Sequence, residues 1–449
     1  PPDRPRTPAR TAAPGCPAHD TGQRVPLYGP EFAADPAAYY AYMRHHGQTS
    51  QVEIAPGVEA TLVTDHATAL QLLQDPGNFR KDARRWRDVA EGKVRPDSPV
   101  VPMLGYRPNC MFTDGAEHAR LRQAVTDSLA HVDSRRLTEM VKRASEYLIS
   151  QFAGRGSVDL MNDYVKQLPL LVFNELIGCP ADVGDRVVFG ISGVFEGVNA
   201  QKANEVLGQA VGELVALKRA RPAEDVASWL LRHEARLTDE ESVHQLILLL
   251  GAGVEPLRNL IGNTLHRLLT HDRYADGGLI EEAIEDTLWE NPPMANYAPH
   301  YPASDMEFGG TKLRAGDLVL VSITAANTDP ALVAARETGG RRAHLAWSAG
   351  PHACPSKDLA RLVTMTAIET LLNRLHDIEL AVPEDSLTWR PGPFHRALAV
   401  LPCRFTPQAV QRPTAPRTVE TPAQADAARA GRKPERTGVW SSFLSWLKG

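Results

Sequence analysis

The sequence predicts one large, mainly α-helical domain with small antiparallel β-sheets. Of its 449 residues, 43% are apolar and 23% are charged, which is typical of a folded globular protein and excludes a wholly disordered chain. Apolar residues recur at spacings of three and four, as in Leu137, Met140 and Val141, which is the spacing of an amphipathic helix. No linker-like composition interrupts 26–410, so this range is interpreted as a single domain.

The longest helix is predicted from Thr238. The segment Thr238-Asp-Glu-Glu241 is a capping box that precedes an apolar run. The helical pattern continues to about His271, on the order of thirty residues or roughly 48 Å at 1.5 Å per residue. A helix of this length crosses a whole domain.

Short strands are predicted in two places. Residues 52–54 and 60–63 flank Pro56-Gly57 and are typical of a β-hairpin. Residues 306–308 and 318–321 flank Gly309-Gly310 and Gly316, which predicts a second antiparallel pair.

Composition also excludes several classes of protein. The net charge is −5, so there is no global basic surface for nucleic acid. No run of eighteen apolar residues is present to span a membrane, and the N-terminus has no apolar segment like that of a secretory signal, so we expect a cytoplasmic protein. The cysteines form no CxxC pair, which excludes a zinc ribbon and a thioredoxin-like site. They are Cys16, Cys110, Cys179, Cys354 and Cys403.

Both ends are expected to differ from the domain. Residues 1–25 and 411–438 are rich in proline, which predicts a disordered N-terminal segment and a flexible linker. Residues 439–449 form a short amphipathic segment behind several basic residues. Its apolar residues, at helical spacing, are Trp440, Phe443, Leu444 and Leu447. This segment has two interpretations: it docks on a partner protein or membrane surface, or it packs on its own domain.

One cysteine lies in a sequence typical of a metal ligand. The segment is Ala346-Trp-Ser-Ala-Gly-Pro-His-Ala-Cys354-Pro-Ser-Lys-Asp-Leu-Ala-Arg361, a tight loop followed by a helical pattern. A cysteine just before a helix receives backbone N–H groups and the positive helix end, which stabilise the thiolate that binds metal. The alternative, a buried structural cysteine, is accepted for Cys110, Cys179 and Cys403.

This segment resembles the cysteine loop of the cytochrome P450 superfamily, the haem-thiolate monooxygenases. The family pattern is aromatic-Gly-x-Gly-x-(His/Arg)-x-Cys-x-Gly, then Leu-Ala-Arg. The matching residues are Gly350, His352, Cys354, Leu359, Ala360 and Arg361. Trp347 replaces the usual Phe, and Ser348 and Ser356 replace two glycines. The resemblance implies the cytochrome P450 fold and haem b bound through Cys354, with Gly350 and His352 beside it.

Two further segments suit the haem carboxylates. His118 and Arg122 lie four residues apart, so they share one helix face and can serve a pair of carboxylates. The alternative is a solvated helix face. The resemblance implies that both residues contact the haem propionates. It also implies that His300 substitutes for a propionate-binding arginine.

The middle of the long helix reads Gly251-Ala-Gly-Val-Glu-Pro256. Small residues there let a flat group approach the backbone. A dinucleotide-binding loop is rejected, because Pro256 occupies the third glycine position of that motif and the segment is entered as a helix. The resemblance implies an oxygen-binding kink with Ala252 and Gly253 at the haem and Glu255 as a catalytic proton relay. The usual threonine is replaced by Pro256, so we expect a kink. Glu255 is alternatively a buried carboxylate that caps freed backbone groups.

The family's Glu-x-x-Arg helix motif is altered. Asp286 is aligned with the glutamate and Trp289 with the arginine, so a hydrogen bond from the indole to the carboxylate is possible. Because both members of the pair have changed, neither leaves a stranded charge, and the fold is expected to survive. With tryptophan at this position, the chain resembles an aberrant bacterial subfamily whose genes often accompany sensor-kinase and small-GTPase operons.

Two functions follow from the resemblance. The first is a monooxygenase that inserts one oxygen atom from O2 into a small apolar substrate. Its electrons would come from a ferredoxin and ferredoxin reductase, because the chain has no flavin or iron–sulfur motif. The second is a catalytically impaired haem-binding regulatory or scaffold protein of a signalling operon.

Overall fold

Helices packed around one long helix make up most of the structure. The structure is a computed structural model that describes residues 24–196, 200–274, 279–332, 342–408 and 438–448. Its α-helices are α1 (Pro30–Ala34), α2 (Pro36–His46), α3 (His66–Gln74), α4 (Arg87–Ala90), α5 (Val101–Leu104), α6 (Gly115–Ala130), α7 (Ser134–Ser150), α8 (Leu168–Leu176), α9 (Ala181–Glu196), α10 (Ala200–Ala220), α11 (Val226–Arg232), α12 (Asp239–Thr270), α13 (Ile280–Glu290), α14 (Ile323–Asn327), α15 (Lys357–Arg374) and α16 (Val439–Leu447). The mainly helical prediction is confirmed.

Helix α12 begins with the predicted capping box. The Thr238 hydroxyl accepts a hydrogen bond from the Glu241 backbone N–H (3.1 Å), and the Glu241 carboxylate accepts one from the Thr238 N–H (2.8 Å). The helix then continues through Pro256 for a total of 32 residues. The predicted length is confirmed, and the kink expected at Pro256 stays a prediction.

Three sheets flank the helices. The strands are β1 (Val25–Pro26), β2 (Thr49–Ala55), β3 (Val58–Val63), β4 (Phe79–Arg80), β5 (Ser157–Asp159), β6 (Asn296–Pro302), β7 (Met306–Phe308), β8 (Thr311–Leu313), β9 (Val319–Ser322), β10 (Glu379–Leu380) and β11 (Pro402–Arg404). The largest sheet has the order β1-β2-β3-β9-β6-β4, and β10-β11-β5 and β7-β8 form two smaller sheets.

The strand predictions are confirmed in part. Strands β2 and β3 form the predicted hairpin. The pairing of 306–308 with 318–321 is wrong, because β7 pairs with β8 across Gly309-Gly310 while β9 lies between β3 and β6 in the largest sheet. That sheet is also mixed, since β1 runs parallel to β2 and β9 parallel to β3. Long connections join these parallel pairs, as parallel pairing requires.

Helix α12 divides the helical core into two apolar clusters. Its N-terminal half, with Leu246 and Leu250 buried, packs into a cluster formed with α6, α9, α10 and α11. Its C-terminal half, with Leu260 and Ile261 buried, packs into a second cluster formed with α7, α8, α13 and α15. The change from one cluster to the other falls at the Glu255–Pro256 step. The middle of α12 is therefore held from both sides.

The C-terminal segment packs on its own domain, which is the second of its two interpretations. Helix α16 lies against α7, α8 and α9, and its Trp440 and Phe443 side chains are 1% and 0% exposed. The Trp440 indole N–H donates to the Cys179 carbonyl (3.2 Å). The Asp185 carboxylate accepts from the Trp440 N–H (2.9 Å), so it caps the helix from a different element. The two largest side chains of this segment are therefore used within the chain.

Most residues of the two predicted terminal segments are not among those that the structure describes. The residues assigned to an N-terminal disordered segment and to a linker lie outside the described residues up to 23 and over 409–437. Val25 is an exception, because it pairs with Val52 in the largest sheet. Within the described parts of the chain, no helix is long and apolar enough to cross a membrane.

Replacing Trp440 by alanine is expected to undock α16. Truncating a buried aromatic side chain costs about 3–5 kcal/mol, so the α16 amides should exchange with solvent at least roughly 100-fold faster. Hydrogen exchange of the full chain, resolved by mass spectrometry, measures this effect. Leu447→Ala is the matched control, because that side chain is 37% exposed and should leave exchange unchanged. Unchanged exchange in Trp440→Ala would contradict the packing described here.

Candidate active site

The cysteine loop is closed by its own backbone and held against the sheet region. The Cys354 N–H donates to the Trp347 carbonyl (2.8 Å), and α15 begins three residues later at Lys357. Gly350 has a φ of +67°, and a Cβ there would collide with the Leu73 carbonyl. Only glycine fits both the conformation and the space, so Gly350 seats the loop on the end of α3.

Cys354 differs from the cysteines interpreted as structural. It is half-buried, and its Sγ lies 3.6 Å from the Ser356 Oγ. Burial raises the pKa of Cys110 to about 11 and the pKa values of Cys179 and Cys403 to about 12, so these three are thiols at neutral pH. Among the described cysteines, Cys354 is the one placed to act as a ligand.

Five basic side chains from four parts of the chain come together beside this loop. The rings of His118 and His352 are 3.9 Å apart, and the Arg122 guanidinium donates to the carbonyl of Ala353, the residue before Cys354. His300 lies on β6 in the largest sheet. These residues, together with one that was not predicted, form what we call the basic cluster: Lys81, His118, Arg122, His300 and His352.

The unpredicted member is Lys81, which is 5% exposed. Its ammonium donates to the Pro299 carbonyl (2.7 Å), next to His300. It follows strand β4, which pairs with β6, so the tertiary pairing brings it to the site. Nothing in the local sequence distinguishes Lys81 from a surface lysine, so sequence analysis missed it.

The basic cluster is buried, and burial weakens the binding of protons to its lysine and histidines. Burial lowers the pKa of Lys81 to about 7, with Asp114 opposing the shift. Burial, reinforced by neighbouring members of the cluster, also lowers the pKa values of His118, His300 and His352. The Nε2 atom of His118 is buried without a hydrogen-bond partner. An anionic group would reverse these shifts and satisfy that atom.

The donor set therefore fits a dicarboxylate such as the propionates of haem. It combines ammonium, guanidinium and imidazole donors, and charge-assisted hydrogen bonds of this kind bind carboxylates well. His118, Arg122 and His300 are the three residues predicted to contact the propionates, and the structure brings them together with His352, which was predicted beside Cys354. Their part in cofactor binding stays a prediction.

The middle of α12 offers a flat approach to its backbone. Ala252 is exposed, although most of the residues that follow it on the helix are buried. Gly253 lies against α8, where a Cβ would collide with the ring of Phe173. A side chain larger than alanine at position 252 would cover the exposed backbone, whereas the missing side chain of Gly253 lets α8 pack closely against α12.

Glu255 lies in an ion-pair network instead of standing alone. Its carboxylate accepts from the Arg390 guanidinium (2.5 Å) and lies 3.4 Å from Arg258. Burial alone would raise the pKa of Glu255, but the charges of Arg390, His395 and Arg258 lower it. Arg390 also donates to the Phe195 carbonyl at the end of α9 (3.3 Å). Glu255 is thus ionised near neutral pH and joins α12, α9 and the loop that contains Arg390.

The alignment of Asp286 with the family's glutamate stays a prediction. The buried carboxylate belongs to Glu285, which forms an ion pair with Arg361 of α15 and lies 3.5 Å from the His344 ring. Asp286 accepts from the Tyr274 hydroxyl (2.5 Å) and pairs with Arg273 (3.2 Å). A shift of one residue along a helix turns a side chain by about 100°, so Asp286 faces a different neighbour.

Trp289 also takes part in this region. Its indole ring contacts His344 edge to face, with ring centroids 5.7 Å apart. The network of Glu285, Arg361 and His344 fastens α13 to α15, the helix that follows the cysteine loop. A buried ion pair therefore joins α13 to α15 with a tryptophan at position 289 beside it.

Comparison with known proteins finds relatives over most of the chain. No family model matches the chain. It is 32% identical over 400 residues to the cytochrome P450 monooxygenase PikC of Streptomyces venezuelae, covering 84% of this chain and 92% of the relative. It is 30% identical over 405 residues to the vitamin D(3) 25-hydroxylase of Pseudonocardia autotrophica, covering 85% of this chain and 97% of the relative.

Solved structures agree with the described fold. CYP154C4 from Streptomyces sp. W2061 superposes with a TM-score of 0.77 at 28% identity, covering 85% of this chain and 97% of that one. CYP154A1 from Streptomyces coelicolor A3(2) gives a TM-score of 0.72 at 28% identity, with 85% and 99% covered.

The depressed pKa of Lys81 gives a test of the basic cluster through pH. Because the folded-state pKa (about 7) lies below the unfolded value (about 10.4), the folded protein binds fewer protons between these values. Without cofactor, the free energy of unfolding should therefore rise with pH above 7, by up to about 1.4 kcal/mol per pH unit. Lys81→Met should remove this rise.

Urea unfolding between pH 6.5 and 8.5 measures the effect, with Lys312→Met as the control because Lys312 is exposed on β8. Haem should also reduce the slope, since carboxylates near Lys81 raise its pKa again. Equal slopes in the parent protein and Lys81→Met would contradict the description of the cluster.

Proposed function

Because the chain belongs to the cytochrome P450 superfamily of haem b monooxygenases, we propose that it inserts one oxygen atom from O2 into a small apolar substrate. The electrons come from an external ferredoxin and ferredoxin reductase. The observation that carries this proposal is the placement of the Cys354 loop beside a buried basic cluster. A thiolate ligand and a carboxylate-binding site are the two features that hold haem in such an enzyme.

Each residue of the site has a part in this proposal. Cys354 would hold the haem iron through its thiolate, and the haem would supply O2 binding and O–O bond cleavage. The basic cluster binds the two propionates, and the exposed position of Ala252 lets the flat group lie against α12. Gly350 lets the cysteine loop pack closely against the end of α3, which fixes the position of the loop.

Glu255 is proposed to relay protons, with Arg390 holding its carboxylate between transfers. The lowered pKa keeps Glu255 ionised, so each proton that it accepts is held briefly before the carboxylate is restored. Its contact with Arg258 is longer, and the Arg390 side chain is 23% exposed, so Arg390 is the partner able to swing toward solvent. A carboxylate that alternates between Arg390 and water delivers protons without the threonine that Pro256 replaces.

The substrate class is inferred from the relatives. Those at 30% identity or more include a vitamin D(3) 25-hydroxylase and a mycinamicin IV hydroxylase/epoxidase, and one structure of CYP154C4 is testosterone-bound. These names describe compounds that are largely apolar. Phe173 and Phe195, half-buried beside Gly253 and Gly251, offer apolar surface at the matching part of this chain.

The second candidate function is a catalytically impaired haem-binding regulatory or scaffold protein of a signalling operon. Two observations favour it: Pro256 removes the helix hydroxyl, and Glu255 is held by two arginines. The C-terminal segment adds no support, because Trp440 and Phe443 are buried in the same chain.

Turnover separates these two functions. We expect the haem-loaded protein, supplied with NADPH, a surrogate ferredoxin and ferredoxin reductase, to incorporate one atom of ¹⁸O from ¹⁸O2 into vitamin D3 or testosterone, measured by mass spectrometry. Glu255→Gln should lower the rate about 100-fold, because general acid–base catalysis contributes at least that much. Glu240→Gln is the matched control, because Glu240 is an exposed glutamate in the first turn of the same helix and should leave the rate unchanged.

The opposite outcome is equally defined. Haem-loaded protein that accepts electrons but incorporates no ¹⁸O into these compounds would favour the regulatory function. Unchanged turnover in Glu255→Gln would remove Glu255 from the proton path while leaving the monooxygenase proposal in place.

A further inference from the structure

Ser356 lies two residues after Cys354, where the family pattern has glycine. Its side chain does not cap the helix that begins there. Ser356 is the N-cap residue of α15, and its carbonyl accepts the first helical hydrogen bond from the Ala360 N–H (2.9 Å). A serine at this position normally accepts a hydrogen bond from a first-turn N–H through its hydroxyl. The Ser356 hydroxyl makes no such capping bond.

A second serine shows the usual arrangement in the same chain. Ser322, at the N-cap of α14, accepts from the Ala325 N–H at 3.1 Å. The Ser356 hydroxyl instead lies 3.6 Å from the Cys354 Sγ, within hydrogen-bonding range of sulfur. The Ser356 hydroxyl therefore does not cap α15 and lies beside the Cys354 sulfur instead.

The direction of this hydrogen bond follows from the chemistry of the ligand. A thiolate carries no proton, so when Cys354 is deprotonated the hydroxyl of Ser356 is the donor. The Cys354 N–H is already committed to the Trp347 carbonyl, so it does not compete for the position. Ser356 is half-buried, which limits the access of water that would weaken the interaction.

We propose that Ser356 is a positioning and tuning residue that donates a hydrogen bond to the Cys354 thiolate and thereby raises the reduction potential of the bound haem. This inference rests on the proposed function, since it takes Cys354 as the ligand. A donor at the sulfur stabilises its negative charge and reduces the electron density that it gives to iron. The reduced state is then favoured, and the first electron is accepted from a less strongly reducing donor.

The same hydrogen bond has a consequence for oxygen chemistry. Electron donation from the thiolate favours O–O cleavage, so a weaker donor slows that step. The hydrogen bond from Ser356 therefore makes the haem easier to reduce but slows O–O cleavage. Neither a core-packing role nor a capping role for Ser356 predicts this pair of opposite effects.

The test compares Ser356→Ala and Ser356→Gly with the parent protein, each loaded with haem. Glycine is the residue of the family pattern, so at least that variant is expected to load. Both variants should show a lower reduction potential by redox titration and a higher iron–sulfur stretching frequency by resonance Raman spectroscopy. Ser356→Thr keeps the hydroxyl and should restore both values to those of the parent.

Ser348→Gly is the matched control. It makes the other serine-to-glycine change in the same loop, at a residue with a φ of +59° that glycine adopts readily. It should leave the potential and the stretching frequency unchanged. Equal values in the parent, Ser356→Ala and Ser356→Gly would overturn the inference, provided that the carbon monoxide complexes retain their thiolate spectrum. A parent protein without that spectrum would instead contradict the proposed function.

Discussion

A buried cluster of basic side chains ties the separate parts of this structure together. Lys81, His118 and His300 are all at most 7% exposed, and they come from the strand β4 region, α6 and β6. With Arg122 and His352 they surround one place, and burial keeps the pKa values of the lysine and the histidines low. Charging such groups without an anion beside them is costly in a protein interior. A dianionic cofactor at this point would offset that cost and would link the sheet, α6 and the cysteine loop.

The ligand loop and α12 are positioned by contacts outside the cluster. Gly350 seats the loop on α3, and the Glu285–Arg361 pair fastens the following helix to α13. Helix α12 is gripped by two apolar clusters that meet near Glu255. A catalytic site requires rigid support, because small displacements of the reacting groups lower the reaction rate strongly. In the Glu255–Arg390 ion pair, the Arg390 side chain is partly exposed to solvent and the Glu255 side chain is buried.

The sequence was informative wherever the chemistry is local. The capping box at Thr238, the four-residue spacing of His118 and Arg122, and the loop around Cys354 each lie within one short segment, and each predicted element is found. Long-range pairing was not readable. Strand β9 pairs with β3, more than 250 residues earlier, so its pairing with 306–308 was predicted wrongly. Lys81 reaches the site only through the β4–β6 pairing.

A similar limit applies to the partners of individual side chains. Asp286 and Glu285 are adjacent acids, and only the packing of α13 against α15 decides that Glu285 takes the buried ion pair. The two interpretations of the C-terminal segment had the same sequence pattern. The surface of α9 decides between them. Asp185 caps α16 there, and the absence of a Cβ on Gly184 leaves room for Trp440.

The spectrum of the dithionite-reduced protein saturated with carbon monoxide tests the central claim most directly, when it is recorded beside that of Cys354→Ala. The account predicts the strongly red-shifted Soret band of a thiolate complex in the parent protein and its loss in the variant. An unshifted band in the parent, or a red-shifted band that persists in Cys354→Ala, would contradict the assignment of Cys354 as the ligand. Failure of the parent to bind haem would contradict the account of the basic cluster as well.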